Sequence, residues 1–137
     1  MFKERRMRFL GVVYFAGLLI FLIASCGPSR NQGAYLYERE CSSCHMPDGS
    51  GLGALYPPLA NSDYLRENQG NLACIIKYGI SDTMIVNGIQ YDMPMEGIKK
   101  LNEVEITNII NYINTAWNNQ IAEQKLEDIS AQLKKCN

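Results

Sequence analysis

The sequence predicts a mainly α-helical fold that contains one small β-hairpin. Apolar residues recur at near-helical spacing between Asn102 and Trp117, which is typical of a helix with one buried face. Asn87 and Gly88 lie between β-favouring residues in IVNGIQY, and this dipeptide is a strong signal for a hairpin turn. The 137 residues allow one domain, and the composition indicates neither disorder nor nucleic-acid binding.

The amino end has the pattern of an export signal. Basic residues in MFKERRMR are followed by an apolar run from Phe9 to Ser25. Ala24 and Ser25 directly precede Cys26, and these small residues resemble the lipobox of bacterial lipoproteins, with Ile23 in place of the usual leucine. The resemblance implies that residues 1–25 are removed and that the Cys26 sulfur is acylated, with residues 26–32 serving as a tether.

An uncleaved membrane anchor is the alternative for this segment, although the apolar run is a little short of the roughly 20 residues that a span prefers. Both interpretations predict a domain outside the cytoplasm, on the periplasmic side of a bacterial membrane. Without residues 1–25 the chain has nine basic and thirteen acidic residues, a net charge of −4. An acidic protein of this kind favours a basic docking patch on its partner.

A CxxC pair, CSSC, is formed by Cys41 and Cys44. In an exported protein it could be a disulfide or a redox pair. A thioredoxin-like site needs a strand before the motif and a helix after it. Here a helix-like stretch precedes CSSC, and the segment that follows, MPDGSGLG, cannot start a helix. A zinc site would need four ligands and therefore Cys74 or Cys136, which could instead pair with each other.

The only histidine of the chain, His45, directly follows Cys44. The sequence CxxCH is the attachment signature of c-type haem. On one helical turn the thiols of Cys41 and Cys44 reach the two vinyl groups of a porphyrin, and the imidazole of His45 reaches the iron. The motif therefore predicts one haem c, covalently bound through both cysteines.

Further residues extend the pattern on both sides of the motif. Gly33 and Tyr37 precede Cys41 by eight and four positions, and Tyr112 takes the partner position on the last helix. Together with CxxCH, this pattern resembles the class I cytochromes c over residues 33–117. The resemblance implies three to four helices around one haem, with the hairpin before a loop that carries a methionine ligand. It also implies that Gly33 lets the first and last helices cross closely.

The last helix has its own start signal and buried stripe. Asn102 is the predicted cap, with Glu105 three positions later. The predicted stripe consists of Val104, Ile106, Ile109, Ile110, Ile113 and Trp117. Residues 118–137 have a modest amphipathic pattern and are predicted to be a helical tail that packs on its own domain or on a partner.

The segment between the haem motif and the hairpin contains two predicted pocket residues. Pro57 lies twelve residues after His45, and the resemblance implies that its carbonyl accepts a hydrogen bond from the imidazole. Leu59 would pack on the haem face. The alternative is that YPP is only a rigid loop. A short helix follows in NLACIIKYG, where we expect Cys74 to be a small buried side chain.

The second iron ligand is predicted within QYDMPMEG. A methionine thioether opposite histidine raises the reduction potential of haem iron. A methionine followed directly by proline, as in many family members, favours Met93. In the subgroup that this region resembles most, the ligand lies four positions after a tyrosine and six before a leucine, which are Tyr91 and Leu101 here. This register favours Met95, with Met93 as the alternative, whereas Met84 precedes the predicted hairpin.

These features predict an electron-transfer protein rather than an enzyme. With both axial positions filled, no site is left for a small-molecule substrate at iron. The chain resembles the cytochrome c subunits of bacterial respiratory complexes, so we expect redox proteins of a respiratory chain and, through the lipid, a membrane as its partners. The alternatives are a five-coordinate haem enzyme or gas sensor without the methionine ligand, and a binding module in which CSSC is a disulfide.

Overall fold

The computed structural model describes residues 30–136, and this region is mainly helical, as predicted. Its helices span Arg30–Glu40 (α1), Ser42–His45 (α2), Asp63–Glu67 (α3), Leu72–Tyr78 (α4), Glu103–Thr115 (α5) and Leu126–Leu133 (α6), and a 3₁₀ turn over Ala116–Asn118 follows α5. Short strands span Gly79–Ile80 (β1), Met84–Val86 (β2), Ile89–Tyr91 (β3) and Met95–Glu96 (β4). In two antiparallel pairs, β1 joins β4 and β2 joins β3.

The predicted export signal, residues 1–25, and the predicted lipidation site Cys26 lie outside the described residues. Helix α1 begins at Arg30, inside the segment predicted to be a tether. Across residues 30–136, no helix combines the length and the apolar character needed to cross a membrane.

Helices α1 and α5 cross closely at Gly33. A Cβ atom at this position would overlap the Asn108 carbonyl oxygen and lie 2.9 Å from the Tyr112 Cβ. One turn along α1, the buried Tyr37 ring fills the groove, with its centroid 5.3 Å from that of Tyr112 and 5.0 Å from that of Trp117. The close crossing predicted at Gly33 is therefore confirmed.

Helix α5 begins with a capping box, as predicted for Asn102. The Asn102 side chain accepts from the Glu105 backbone N–H at 3.0 Å, and the Glu105 carboxylate accepts from the Asn102 backbone N–H at 2.9 Å. The four isoleucines of the stripe, Ile106, Ile109, Ile110 and Ile113, are buried. The prediction for Val104 is wrong, since this side chain is 50% exposed. It lies two residues before Ile106, roughly 200° around the helix, and so faces outward.

The hairpin is formed as predicted, with its turn at Asn87 and Gly88. Both residues have positive φ angles, 51° and 77°, which a type I′ hairpin turn requires. The turn is fastened to the start of α3, because the Asn87 backbone N–H donates to the Asp63 carboxylate at 2.7 Å and the Asp63 backbone N–H donates to the Asn87 side chain at 3.1 Å. The hairpin is thereby held against the helical part of the domain.

The carboxy-terminal tail packs on its own domain. Ile129 of α6 is fully buried in the main core, and a disulfide between Cys74 and Cys136 joins the tail to α4. The expectation that Cys74 is merely a small buried side chain is therefore wrong: it is half-buried and bonded. Side-chain amides add polar contacts, since Gln124 donates to the Gln69 side chain at 2.7 Å.

We predict that Gly33→Ala lowers the free energy of unfolding of the haem-loaded protein by about 1–3 kcal/mol, because the added methyl overpacks the contact between α1 and α5. Denaturant unfolding followed by far-UV circular dichroism measures the change. Gly70→Ala is the matched control, since a Cβ at Gly70 has no atom within 4 Å. Equal effects of the two substitutions would contradict the role of the close crossing.

We also predict that Cys74→Ser combined with Cys136→Ser lowers the free energy of unfolding by about 4 kcal/mol, the value that the chain-entropy model gives for a closed loop of 62 residues. The same denaturant experiment measures it, and adding a reductant to the parent protein should lower its stability equally. No change in either case would show that the tail is held without the bond.

Candidate functional site

The imidazole of His45 is held in one orientation at the wall of a cavity. Its Nδ1 lies 3.0 Å from the Pro57 carbonyl oxygen, which is the contact predicted for Pro57. Because a carbonyl only accepts, Nδ1 carries the proton and Nε2 keeps a lone pair. Within residues 30–136 no hydrogen-bond partner lies at Nε2. Burial lowers the pKa of His45, although the bond to Pro57 opposes this, so the ring is neutral as a metal ligand must be.

No disulfide joins the two cysteines of CSSC, and both side chains are half-buried. Cys41 occupies the cap position of α2, and its carbonyl accepts from the His45 backbone N–H at 3.0 Å. Burial, with smaller effects of Glu40 and Cys44, raises the pKa of Cys41 to about 12. A thiol–disulfide redox pair needs a thiolate with a lowered pKa, so this environment is unsuited to that chemistry.

A zinc site at CSSC lacks ligands. Cys74 and Cys136, the cysteines that such a site would have to recruit, are bonded to each other. In the part of the chain that the structure describes, no group of three or more His, Cys, Asp or Glu side chains could hold a metal ion. One imidazole beside two thiols on a single turn is a donor set suited to covalent haem rather than to bare zinc.

An apolar cavity, the inner cavity, opens beside His45. Besides His45 and Cys41, its walls are almost wholly apolar and include Leu59, Leu65, Leu72, Ile75, Ile109 and Ile113. A second cavity, the outer cavity, shares His45, Cys41, Pro57 and Met95 with it and adds Cys44. Cofactor sites are typically concave and mostly apolar, with a few polar groups that fix the ligand. Apolar walls with one imidazole and two thiols at their edge fit a flat, apolar macrocycle attached at that edge.

The structure separates the two predicted ligand methionines. Met95, in β4, is half-buried and lines both cavities together with His45. Met93 is 44% exposed and lines the outer cavity but not the inner one. The two predicted pocket residues Pro57 and Leu59 lie in the wall of the inner cavity.

Sequence analysis missed a third methionine. Met84 does not precede the hairpin but lies in its first strand, where it is buried and lines both cavities. Its inward direction follows from strand alternation, since Met84 and Val86 are buried and Ile85 between them is exposed. This period of two was the signal that could have found it.

Comparison with known proteins identifies the family. The family model described as Cytochrome c matches residues 31–117. The chain belongs to the cytochrome c family. The class I fold predicted from the sequence is therefore confirmed, and membership implies covalently bound haem c.

Relatives of this cytochrome include carriers and a subunit of a larger enzyme. One cytochrome c-552 of Thermus thermophilus is 29% identical over 73% of this chain and 70% of its own length, and another from the same species is 33% identical over 62% and 67%. The cytochrome c subunit of the quinone alcohol dehydrogenase of Gluconacetobacter polyoxogenes is 33% identical over 72% of this chain. The match covers 21% of that subunit, so this cytochrome is similar to one part of it.

Proposed function

We propose that this cytochrome carries one haem c and transfers single electrons between partner proteins. Cys41 and Cys44 would hold the haem through thioether bonds, and His45 and Met95 would be the axial ligands. The observation that carries the proposal is the wall of the outer cavity, which contains the neutral imidazole of His45 with its free Nε2, both CSSC cysteines and the Met95 thioether. Haem bound there would supply a one-electron iron couple.

The residues of the site each have a role in that function. The Pro57 carbonyl holds the His45 ring in one orientation and strengthens its donor nitrogen. The apolar walls exclude water, which lowers the local dielectric and favours the less charged, reduced state of the site. Because the walls combine packed helices with the hairpin and the Pro57 loop, they would change little when one electron enters or leaves.

The assignment of Met95 rather than Met93 rests on burial. A methionine that held the haem together with His45 would have to reach the cavity that the imidazole borders, and Met95, like Met84, lines both cavities. Met93 lies two residues earlier, more exposed and in the wall of the outer cavity alone. If His45 and Met95 both held the iron, no position would be left for a substrate, and this cytochrome would be an electron carrier rather than an enzyme.

Its partners would be redox proteins of a membrane-bound respiratory chain. The names of three relatives support a protein redox partner, since they describe cytochrome c subunits of quinone alcohol dehydrogenases. Whether as a shuttle or as a subunit, the domain would be tethered through acylated Cys26 at the periplasmic side of a membrane. Confinement raises the effective concentration of such partners without new contacts.

We predict that Met95→Ala abolishes the weak charge-transfer band of methionine-ligated ferric haem and lowers the reduction potential by about 0.1 V or more, a fraction of the roughly 0.8 V that axial ligands span. Met93→Ala is the matched control and should keep the band. Visible spectroscopy with redox titration measures both. Loss of the band in Met93→Ala alone would assign the ligand to Met93, and high-spin ferric iron in the parent protein would indicate a haem enzyme or gas sensor.

We predict that intact mass spectrometry of the mature protein detects one covalent haem, acyl chains on an amino-terminal Cys26, and no free thiol at Cys41 or Cys44. Cys26→Ser should release the protein from membranes and leave the haem mass unchanged. A colourless protein whose CSSC thiols are free or joined to each other would contradict the proposed function. A haem protein that still contains residues 1–25 would contradict the lipid anchor alone.

A further inference from the structure

The chain that follows Met95 is fixed to the end of helix α4. In the β1–β4 pair, Met95 lies opposite Ile80 and Glu96 lies opposite Gly79. Beyond the strand, the Ile98 backbone N–H donates to the Ile76 carbonyl at 2.8 Å. These contacts place the backbone after Met95 directly on the last turn of α4.

Two glycines make this close approach possible. A Cβ atom at Gly97 would overlap the Tyr78 backbone and lie 2.6 Å from the Lys77 carbonyl oxygen. A Cβ at Gly79 would lie 2.8 Å from the Gly97 nitrogen, and Gly79 has a φ angle of +86°. Any side chain at either position would separate the two backbones.

One side chain of α4 spans the same junction. The Lys77 ammonium donates to the Lys99 carbonyl at 2.7 Å and to the Leu101 carbonyl at 2.6 Å. Both carbonyls belong to the stretch between Met95 and the start of α5. The Leu101 side chain is 1% exposed, so the far end of this stretch is fixed in the core.

The residues directly before Met95 lie at the surface. Asp92, Met93 and Pro94 are exposed, and the Asp92 carboxylate accepts from Thr83 and Gln90, whereas the stretch that follows is paired with β1 and bonded to α4. The position of the Met95 thioether therefore depends on the contacts of residues 95–101 with α4. Among these contacts, the hydrogen bonds of Lys77 are those that a side-chain substitution can remove.

We propose that Lys77 is a positioning residue that keeps the Met95 thioether directed into the cavity. This inference rests on the proposed function, in which Met95 is an iron ligand. An ammonium that donates to two backbone carbonyls makes strong, charge-assisted hydrogen bonds. Opening of residues 95–101 away from α4 breaks them, so they keep the open form rare. Removing them raises the population in which the methionine is away from the iron.

The test uses imidazole as a competing ligand for the ferric, haem-loaded protein. Imidazole binds where Met95 has left, so its apparent affinity rises in proportion to the open population. We expect Lys77→Met to raise this affinity about tenfold or more, the factor given by the loss of hydrogen bonds from a charged donor. Imidazole binding is measured by the loss of the charge-transfer band during the titration.

Lys99→Met is the matched control, because it removes the same charge from the anchored stretch and leaves both carbonyls paired with Lys77. Its imidazole affinity should equal that of the parent protein. Lys77→Arg, which keeps a charged donor, should restore most of the parent behaviour. In Lys77→Gln the side chain is too short to reach both carbonyls, so this variant should act as Lys77→Met does. It serves as the second variant if the Lys77→Met protein folds poorly.

Amide hydrogen exchange separates local opening from general destabilisation. In Lys77→Met the Ile98 amide should exchange faster, while that of the core residue Ile110 keeps its protection. Equal imidazole affinity in Lys77→Met and Lys99→Met would overturn the role of Lys77. In that case a charge-transfer band that still depends on Met95 would leave the ligand assignment intact. A charge-transfer band that survives Met95→Ala would overturn both the role of Lys77 and the assignment of Met95 as a ligand.

Discussion

The close crossing of α1 and α5 at Gly33 is the contact on which the rest of the structure depends. It brings Tyr37 into the wall of the cavity from one helix and Ile109 and Ile113 from the other. Helix α1 then ends about two turns after Gly33, where Cys41 begins the haem motif. A single backbone approach, possible because glycine has no side chain, therefore sets both the apolar wall and the position of the reactive residues.

The site combines few polar groups with an extensive apolar lining. His45 and its acceptor Pro57 are twelve residues apart, so the loop between them must close back on the motif to form their hydrogen bond. The α3 helix and the hairpin then complete the enclosure, joined by the reciprocal bonds between Asp63 and Asn87. Helical and β elements thus enclose an apolar space whose few polar groups lie at its edge, as the proposed electron transfer would require.

Local signals were the most predictable part of this chain. The CxxCH motif, the Asn102 capping box and the Asn87-Gly88 turn depend on neighbours within a few residues, and their geometry follows from the sequence. The Cys74–Cys136 bond was left open, because it depends on the path of a tail 62 residues further along. The ligand choice was harder for a related reason. Met93 and Met95 are two residues apart and would share one face of an extended strand, so periodicity cannot separate them. Pairing of β4 with the distant β1 is what distinguishes their surroundings.

The start of α1 at Arg30 limits where the domain can work if Cys26 is acylated as proposed. Four residue steps separate the two positions, and a fully extended chain of that length reaches about 14 Å. So short a linker would keep the haem-bearing domain at the bilayer surface and restrict its rotational motion. Electron exchange would then be confined to proteins whose redox centres approach the same thin layer above the lipid.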